Sequence, residues 1–359
     1  MNGIHCVNCH KPLRLSLLSI AITVLTADPA SAFTFSSGEL EGSLDTTISY
    51  GARWRVQDRD QSIIGKANGG TANSVNGDDG NLNYDTGLVS NVIKITPELE
   101  LNYRNYGAFI RATYFYDFEV KNNDTARTPL SQDALDEVGE KGEILDAYVW
   151  GSWNPGDKPL DVRIGNQVIN WGESTFIQGG MNSINPVNVN NLRVPGAEIR
   201  EALKPVPRIW ANLGATGKIS VEGFYQTHWQ ETIIDPVGTY FSTTDLAVEG
   251  AEKVVLGFGS APDNPALPGT AVPRGDDREA KDGGEYGIML NYLTENASEF
   301  GFYFVNYHSR LPIISAVTGD VAGALGGDYP ASANYFCLLY TSPSPRDQLQ
   351  HLVCRLLLE

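Results

Sequence analysis

The sequence predicts an all-β protein, an antiparallel up-and-down transmembrane β-barrel with about nine strands of a larger, truncated barrel present. Two observations carry that expectation. Apolar and polar residues alternate along segments that outrun the ~5–6 residues of an ordinary strand. The connections between these segments alternate long and short. Composition agrees: of 359 residues, 42% are hydrophobic and 10% aromatic, and the formal net charge is −17. Such a charge offers phosphates no basic face, which argues against a nucleic-acid partner. The aromatic content is too high for a charge-driven disordered chain. The long apolar run at residues 13–25 contains Arg14 and falls short of the ~20 residues a membrane-crossing helix needs.

Residues 1–32 read as a secretory signal peptide. Lys11 and Arg14 make its basic start, residues 15–26 its apolar core, and Ala30-Ser31-Ala32 its cleavage site. Cys6, Cys9 and His10 spell the C-x-x-C-H pattern of haem attachment. They lie in the part that cleavage discards, so no haem is expected. At the other end the texture changes abruptly at residues 337–359. Alternation stops, two cysteines appear, and LLYTSPSPRD resembles translated sequencing-adapter read-through. Leu349, Leu352, Val353, Leu356 and Leu357 have helical spacing there. These residues read as a non-native tail, which leaves 33–336 as the N-terminal part of the barrel. Cys6, Cys9, Cys337 and Cys354 all fall outside that body, which needs no disulfide framework.

The first strand sets Leu40, Leu44, Ile48, Tyr50 and Trp54 against Glu41, Asp45, Ser49, Arg53 and Arg55. Period two places these sets on opposite faces. The second opposes Ile93, Ile95, Leu99 and Tyr103 to Lys94, Glu98 and Glu100; the third opposes Ile110, Tyr114 and Phe118 to Arg111, Asp117 and Glu119. In the fourth, Leu145, Ala147, Val149 and Trp153 form the apolar set. Later strands follow at Leu160–Val168, 209–215, 219–229, 286–292 and 299–310. Trp54, Trp153 and Trp229 sit near strand ends, where an interfacial aromatic girdle belongs. Long loops at 57–87, 121–142, 172–207 and 231–283 alternate with tight turns at Asn105, Asn154-Pro155-Gly156-Asp157, Gly217 and 295–298. Outer-membrane barrels pair short periplasmic turns with long external loops in this way. A propeller or β-helix would instead show a fixed repeat, and none is found.

The run RIGNQVINWGESTFIQGGMNSINPVNVNNLRVPGAEIREALKPVPR, with DDGNLNYDTG and NYGAFIRATYFYDFE, resembles a bacterial outer-membrane family called domain of unknown function 1302. The specific elements are Gln167–Trp171–Gly172, Asn185-Pro186 and Pro195-Gly196. The resemblance implies an outer-membrane barrel, in a family whose members often occur beside exporters of the resistance-nodulation-division type. It implies no substrate.

Three groups of residues are candidates for function. Arg193, Glu198, Arg200, Glu201, Lys204 and Arg208 crowd the 172–207 loop. Folded into the lumen they form a charged constriction; pointing outward they are merely solvated. Residues 197–203 can form a short helix with Glu201 and Lys204 paired, and Trp171 and Trp210 take the inward register. Arg53, Arg111, Asp117, Glu119, Arg163 and Gln167 are expected to line the polar interior. Asp78, Asp79, Asn81, Asn83 and Asp85 offer closely spaced oxygens to Ca²⁺, or else form a solvated turn. Catalytic signatures for phosphate loops, nucleophile elbows and zinc proteases are missing. His228 and His308 are the histidines of the body, and a Ser–His–acid set on either stays open. The expectation is a non-enzymatic channel or export partner in the outer membrane. It would meet lipid, lipopolysaccharide and a periplasmic or inner-membrane exporter component. The alternative is an enzyme or surface-binding barrel that acts through its external loops.

Overall fold

The computed structural model describes residues 33–122, 124–172, 180–264, 270–317, 335–339 and 354–357. The expected signal peptide, its C-x-x-C-H motif and most of the expected tail lie outside them. The chain begins with strands β1 (Phe33–Ser37), β2 (Leu40–Arg55), β3 (Gly87–Tyr103), β4 (Tyr106–Asp117), β5 (Glu140–Trp153) and β6 (Leu160–Gln167). It continues through β7 (Val206–Thr216), β8 (Ile219–Gln226) and a small hairpin, β9 (Lys253–Val255) with β10 (Ala271–Pro273). β11 (Glu285–Leu293) and β12 (Glu299–Asn306) precede a second hairpin, β13 (Ile313–Val317) with β14 (Tyr335–Leu339), and β15 is Cys354–Leu357.

Eleven strands form one antiparallel meander in the order β1-β2-β3-β4-β5-β6-β7-β8-β11-β12-β15. Among the described residues the sheet is open, with β1 and β15 at its edges. All nine expected strands are in it. β15 arises from the segment read as a tail; its residues 354–357 pair with the edge of β12. The longest strands, β2 and β3, have 16 and 17 residues and pair from Leu40↔Tyr103 to Arg55↔Gly87. The tight turns fall where expected. At the β3–β4 turn, Arg104 adopts the left-handed region with φ 55°.

The two faces of the sheet reverse the usual order of burial. Lys94, Arg111, Asp117, Gln167, Arg208 and Gln226 are buried, whereas Ile48, Ile110, Ile164, Ile209 and Ile288 are exposed. Aromatic side chains are exposed at both ends of the strands. Trp54, Tyr225 and Tyr286 stand next to long loops, and Tyr103, Tyr106, Trp153 and Tyr292 next to short turns. The polar face is covered by the long loops, which carry helices α1 (Asp79–Asn83), α2 (Phe118–Asn122), α3 (Gln132–Val138) and α4 (Val189–Arg193). Among the described residues no helix is long and apolar enough to cross a membrane.

Three details depart from simple alternation. In β5, Leu145 lies on the covered face and is 1% exposed, because a bulge opposite Ile110–Ala112 turns both Leu145 and Asp146 inward and puts Ile144 outside. Glu119 leaves the strand for α2. The Asp117 carboxylate accepts the Glu119 and Val120 amides at 2.9 and 3.1 Å and so starts that helix. Trp229 lies beyond β8 and is buried, its amide held by Asp282 at 2.8 Å, so it belongs to no exposed girdle.

Candidate functional site

The 172–207 loop is laid across the covered face of the sheet; residues 173–179 lie outside the described ones. Its path requires a glycine in β2. A Cβ on Gly51 would stand 2.5 Å from Pro195 Cβ, so only hydrogen lets Pro195-Gly196 approach the strand this closely. Asn188 organises the loop's start: its side-chain oxygen caps α4 by accepting the Asn190 amide at 3.0 Å, and its amide donates to Glu137 at 2.7 Å. Only residues 199–201 of the expected 197–203 helix form, as a single 3₁₀ turn that leaves Ile199 exposed.

The loop's charges are matched with charges from the sheet. Lys94 of β3 donates to both oxygens of Glu201 at 2.8 Å and to the Gly196 carbonyl at 2.9 Å, and both side chains are buried. Arg200 pairs with Glu98 of β3 at 2.7 Å and with Glu198 at 2.5 Å. Lys204 lies 3.5 Å from Glu143 of β5. The expected Glu201–Lys204 pair therefore does not form, since each finds a partner across the loop–sheet junction. Arg193, at the end of α4, pairs with Asp235 and donates to the Phe241 carbonyl at 3.1 Å. Arg53 of β2 donates to the Arg193 carbonyl, and both guanidinium carbons lie 4.7 Å from the Phe241 ring centre. Burial pushes the Asp235 carboxyl above its ordinary value, against the opposing pull of Arg193.

Of the residues expected on the polar interior, Arg111 pairs with Asp146 at 2.5 Å and Gln167 donates to the Arg208 carbonyl at 3.0 Å. Arg163 stacks on Trp210, 4.1 Å from the ring centre. Arg53, Arg111, Asp117, Arg163 and Gln167 share this face; Glu119, on α2, does not belong to its strand register. Trp171 and Trp210 are buried and both donate to the same Glu222 oxygen. They join Ile169, Ile184, Phe224, Tyr303 and Val305 in a small apolar core.

Arg208 stands apart from the other loop charges, in a second network. It donates to Gln226 at 3.0 and 2.8 Å, to the Asn185 side chain at 2.5 Å and to the Ile184 carbonyl. Gln226 donates to Glu285, whose other oxygen pairs with Arg310 at 2.9 Å. Burial lowers the Arg310 pKa, and Glu285 offsets part of that. Gln226, Glu285 and Arg310 escaped sequence reading. Their signal was present, as polar residues at inward positions near the loop ends of the strands.

The five oxygen donors of the first loop divide among several tasks. Asn81 and Asp85 face Arg55 and Arg59, and Asn83 accepts the Arg127 and Thr128 amides at 3.2 and 2.7 Å. The sequence cluster is therefore not one ligand set. Asp78 and Asp79 meet Asp245 from the 227–284 loop instead, with one oxygen of each within 4.8 Å of the others. Burial, then the Asp79 charge, holds the Asp245 carboxyl up at about 8. His228 bonds Asp282 at 2.8 Å, and both are exposed.

Fold and site together define a class of protein: an all-β antiparallel meander, polar beneath its loops and apolar on its bare face. The chain belongs to the family described as "Protein of unknown function (DUF1302)", whose model matches residues 13–345. No curated protein and no solved structure matches it.

Proposed function

We propose that this chain forms the wall of an outer-membrane β-barrel, exported through its cleaved signal peptide. It passes small or amphipathic solutes, alone or as partner of a periplasmic or inner-membrane exporter component. The inverted burial of the sheet carries this reading. A bare face of isoleucine, leucine and aromatic residues is favoured by hydrocarbon and penalised by water, and lipid requires every strand's backbone to be paired within a sheet. β2 and β3, at 16 and 17 residues, exceed the ~9–11 that a tilted crossing strand needs. Lipid and lipopolysaccharide are then the natural neighbours of the bare face and of the loops.

In this reading Arg193, Glu198, Arg200, Glu201 and Lys204 narrow the lumen and set its selectivity. Arg208 braces the loop's end. Removing Arg193 and Arg200 together leaves Asp235, Glu98 and Glu198 uncompensated, so the path becomes cation-preferring, most of all at low salt. Single-channel reversal potentials across a salt gradient test this. A shift toward cations in the double variant is expected; an unchanged potential would put the loop outside the conduction path. A second reading, a surface-binding or catalytic barrel, draws on the exposed His228–Asp282 pair. It gains ground if the native chain forms no channel.

A further inference from the structure

The first long loop follows β2 and the fourth follows β8, six strands further along the sheet. They nevertheless meet at backbone contact. Asn76 exchanges two side-chain hydrogen bonds with the backbone of Val255, at 2.8 and 2.7 Å, and its carbonyl accepts the Asp245 amide at 3.1 Å. A Cβ on Gly80 would stand 2.5 Å from the Thr239 carbonyl oxygen.

Asp78, Asp79 and Asp245 converge at this junction. Asp78 is 0% exposed. Its Oδ2 accepts the Gly65 amide at 2.7 Å and the Asn68 side chain at 2.9 Å, but its Oδ1 has no donor. Asp79, also buried, leaves its Oδ1 without a donor among the described residues, and the Asp245 carboxylate has no side-chain donor there, only the Asp79 backbone amide beside it. Buried carboxylate oxygens from three residues thus crowd one place with fewer donors than they can accept. The nearby cations are committed elsewhere: Arg127 to Asp263 and Asn68, and Lys253 to Asn264 at 2.5 Å. Buried carboxylates normally find donors, counter-charges or a metal. A hard divalent ion takes carboxylate oxygens at ~2.3–2.6 Å, so ligands of one ion fall within the spacing seen here. A cavity of about 740 Å³, lined by Asp79 and Asp245, adjoins the cluster and has room for a hydrated ion.

We propose that Asp78, Asp79 and Asp245 hold a divalent cation of the Ca²⁺ type, which fastens the first long loop to the fourth. Asn81, Asn83 and Asp85, though near in sequence, take no part. The ion binds the folded junction and not the unfolded chain, so it stabilises the loops in proportion to its occupancy. This inference stands independently of transport.

The test uses the full chain in detergent, stripped with EDTA and titrated with CaCl₂ by calorimetry, with thermal unfolding in parallel. One saturable site and a rise in Tm are expected. Asp245→Asn should weaken binding by roughly tenfold or more, beyond the range that loss of a supporting residue begins to produce. Asp85→Asn, which alters an exposed carboxylate paired with Arg59, should bind Ca²⁺ as the native chain does. Absence of saturable binding by the native chain, or equal affinity in Asp245→Asn, would overturn the proposal. If Asp85→Asn loses the ion instead, the ligand set is that of the contiguous sequence and the proposal also fails.

Discussion

Two regions of this molecule bury charge in opposite ways. Beneath the 180–207 loop, each charge meets a partner: Lys94 meets Glu201, Arg200 meets Glu98 and Arg193 meets Asp235. Where the first and fourth loops touch, Asp78, Asp79 and Asp245 meet one another. The first arrangement is complete as it stands and fixes the position of a loop. The proposed divalent cation would complete the second. Buried charge therefore has no single meaning; what matters is whether the surrounding donors and counter-charges match it.

Breaking the first region should have the largest effect. Lys94→Met strands Glu201 in a buried site, and such losses cost about 3–5 kcal/mol. Guanidinium unfolding in detergent should show this, and limited proteolysis should cut the released loop. Restoring balance with Lys94→Met and Glu201→Leu together should return most of the lost stability, since an apolar pair can replace a buried ionic one. If the single and double variants are equally damaged, the pair is not what holds the loop.

A smaller effect is expected from shape. Gly51→Val drives a side chain into Pro195 and should cost about 1–3 kcal/mol, in the range of overpacking. It should lift the loop from the sheet and raise conductance without changing strand content by circular dichroism. The smallest effect belongs at the exposed pair Lys218–Glu295, 2.8 Å apart beside a short turn. Lys218→Ala should change stability by under about 1 kcal/mol. An effect there as large as at Lys94 would erase the distinction between buried and exposed pairs on which the comparison rests.

Much of the architecture was legible in the sequence because period two has only one structural meaning over a dozen residues. The nine strands, their tight turns and the polar set at Arg53, Arg111, Asp117, Arg163 and Gln167 follow from it. What alternation cannot express is a local exception. The bulge that turns Leu145 inward depends on Arg111 and Asp146 finding each other, and the departure of Glu119 depends on Asp117 capping α2. Loop placement was open for a different reason. The partners of Glu201 and Asp78, namely Lys94 and Asp245, lie far away in sequence, and nothing local announces them. The first-loop cluster is contiguous in sequence, whereas its buried carboxylates gather with one from another loop.

In the proposed barrel the bare face meets lipid and the polar face meets water. Thr47 and Ile48 test it most directly, because they are neighbours in β2, both exposed, and on opposite faces. In a background with the cysteines replaced by serine, a nitroxide at Thr47→Cys or Ile48→Cys can be read by spin-resonance relaxation in lipid vesicles. Oxygen, which concentrates in hydrocarbon, should relax the label at 48, and a water-soluble nickel chelate the label at 47. Equal access of the nickel chelate to both positions, with no preference for oxygen at 48, would rule out a lipid-facing surface and return the sheet to water on both faces.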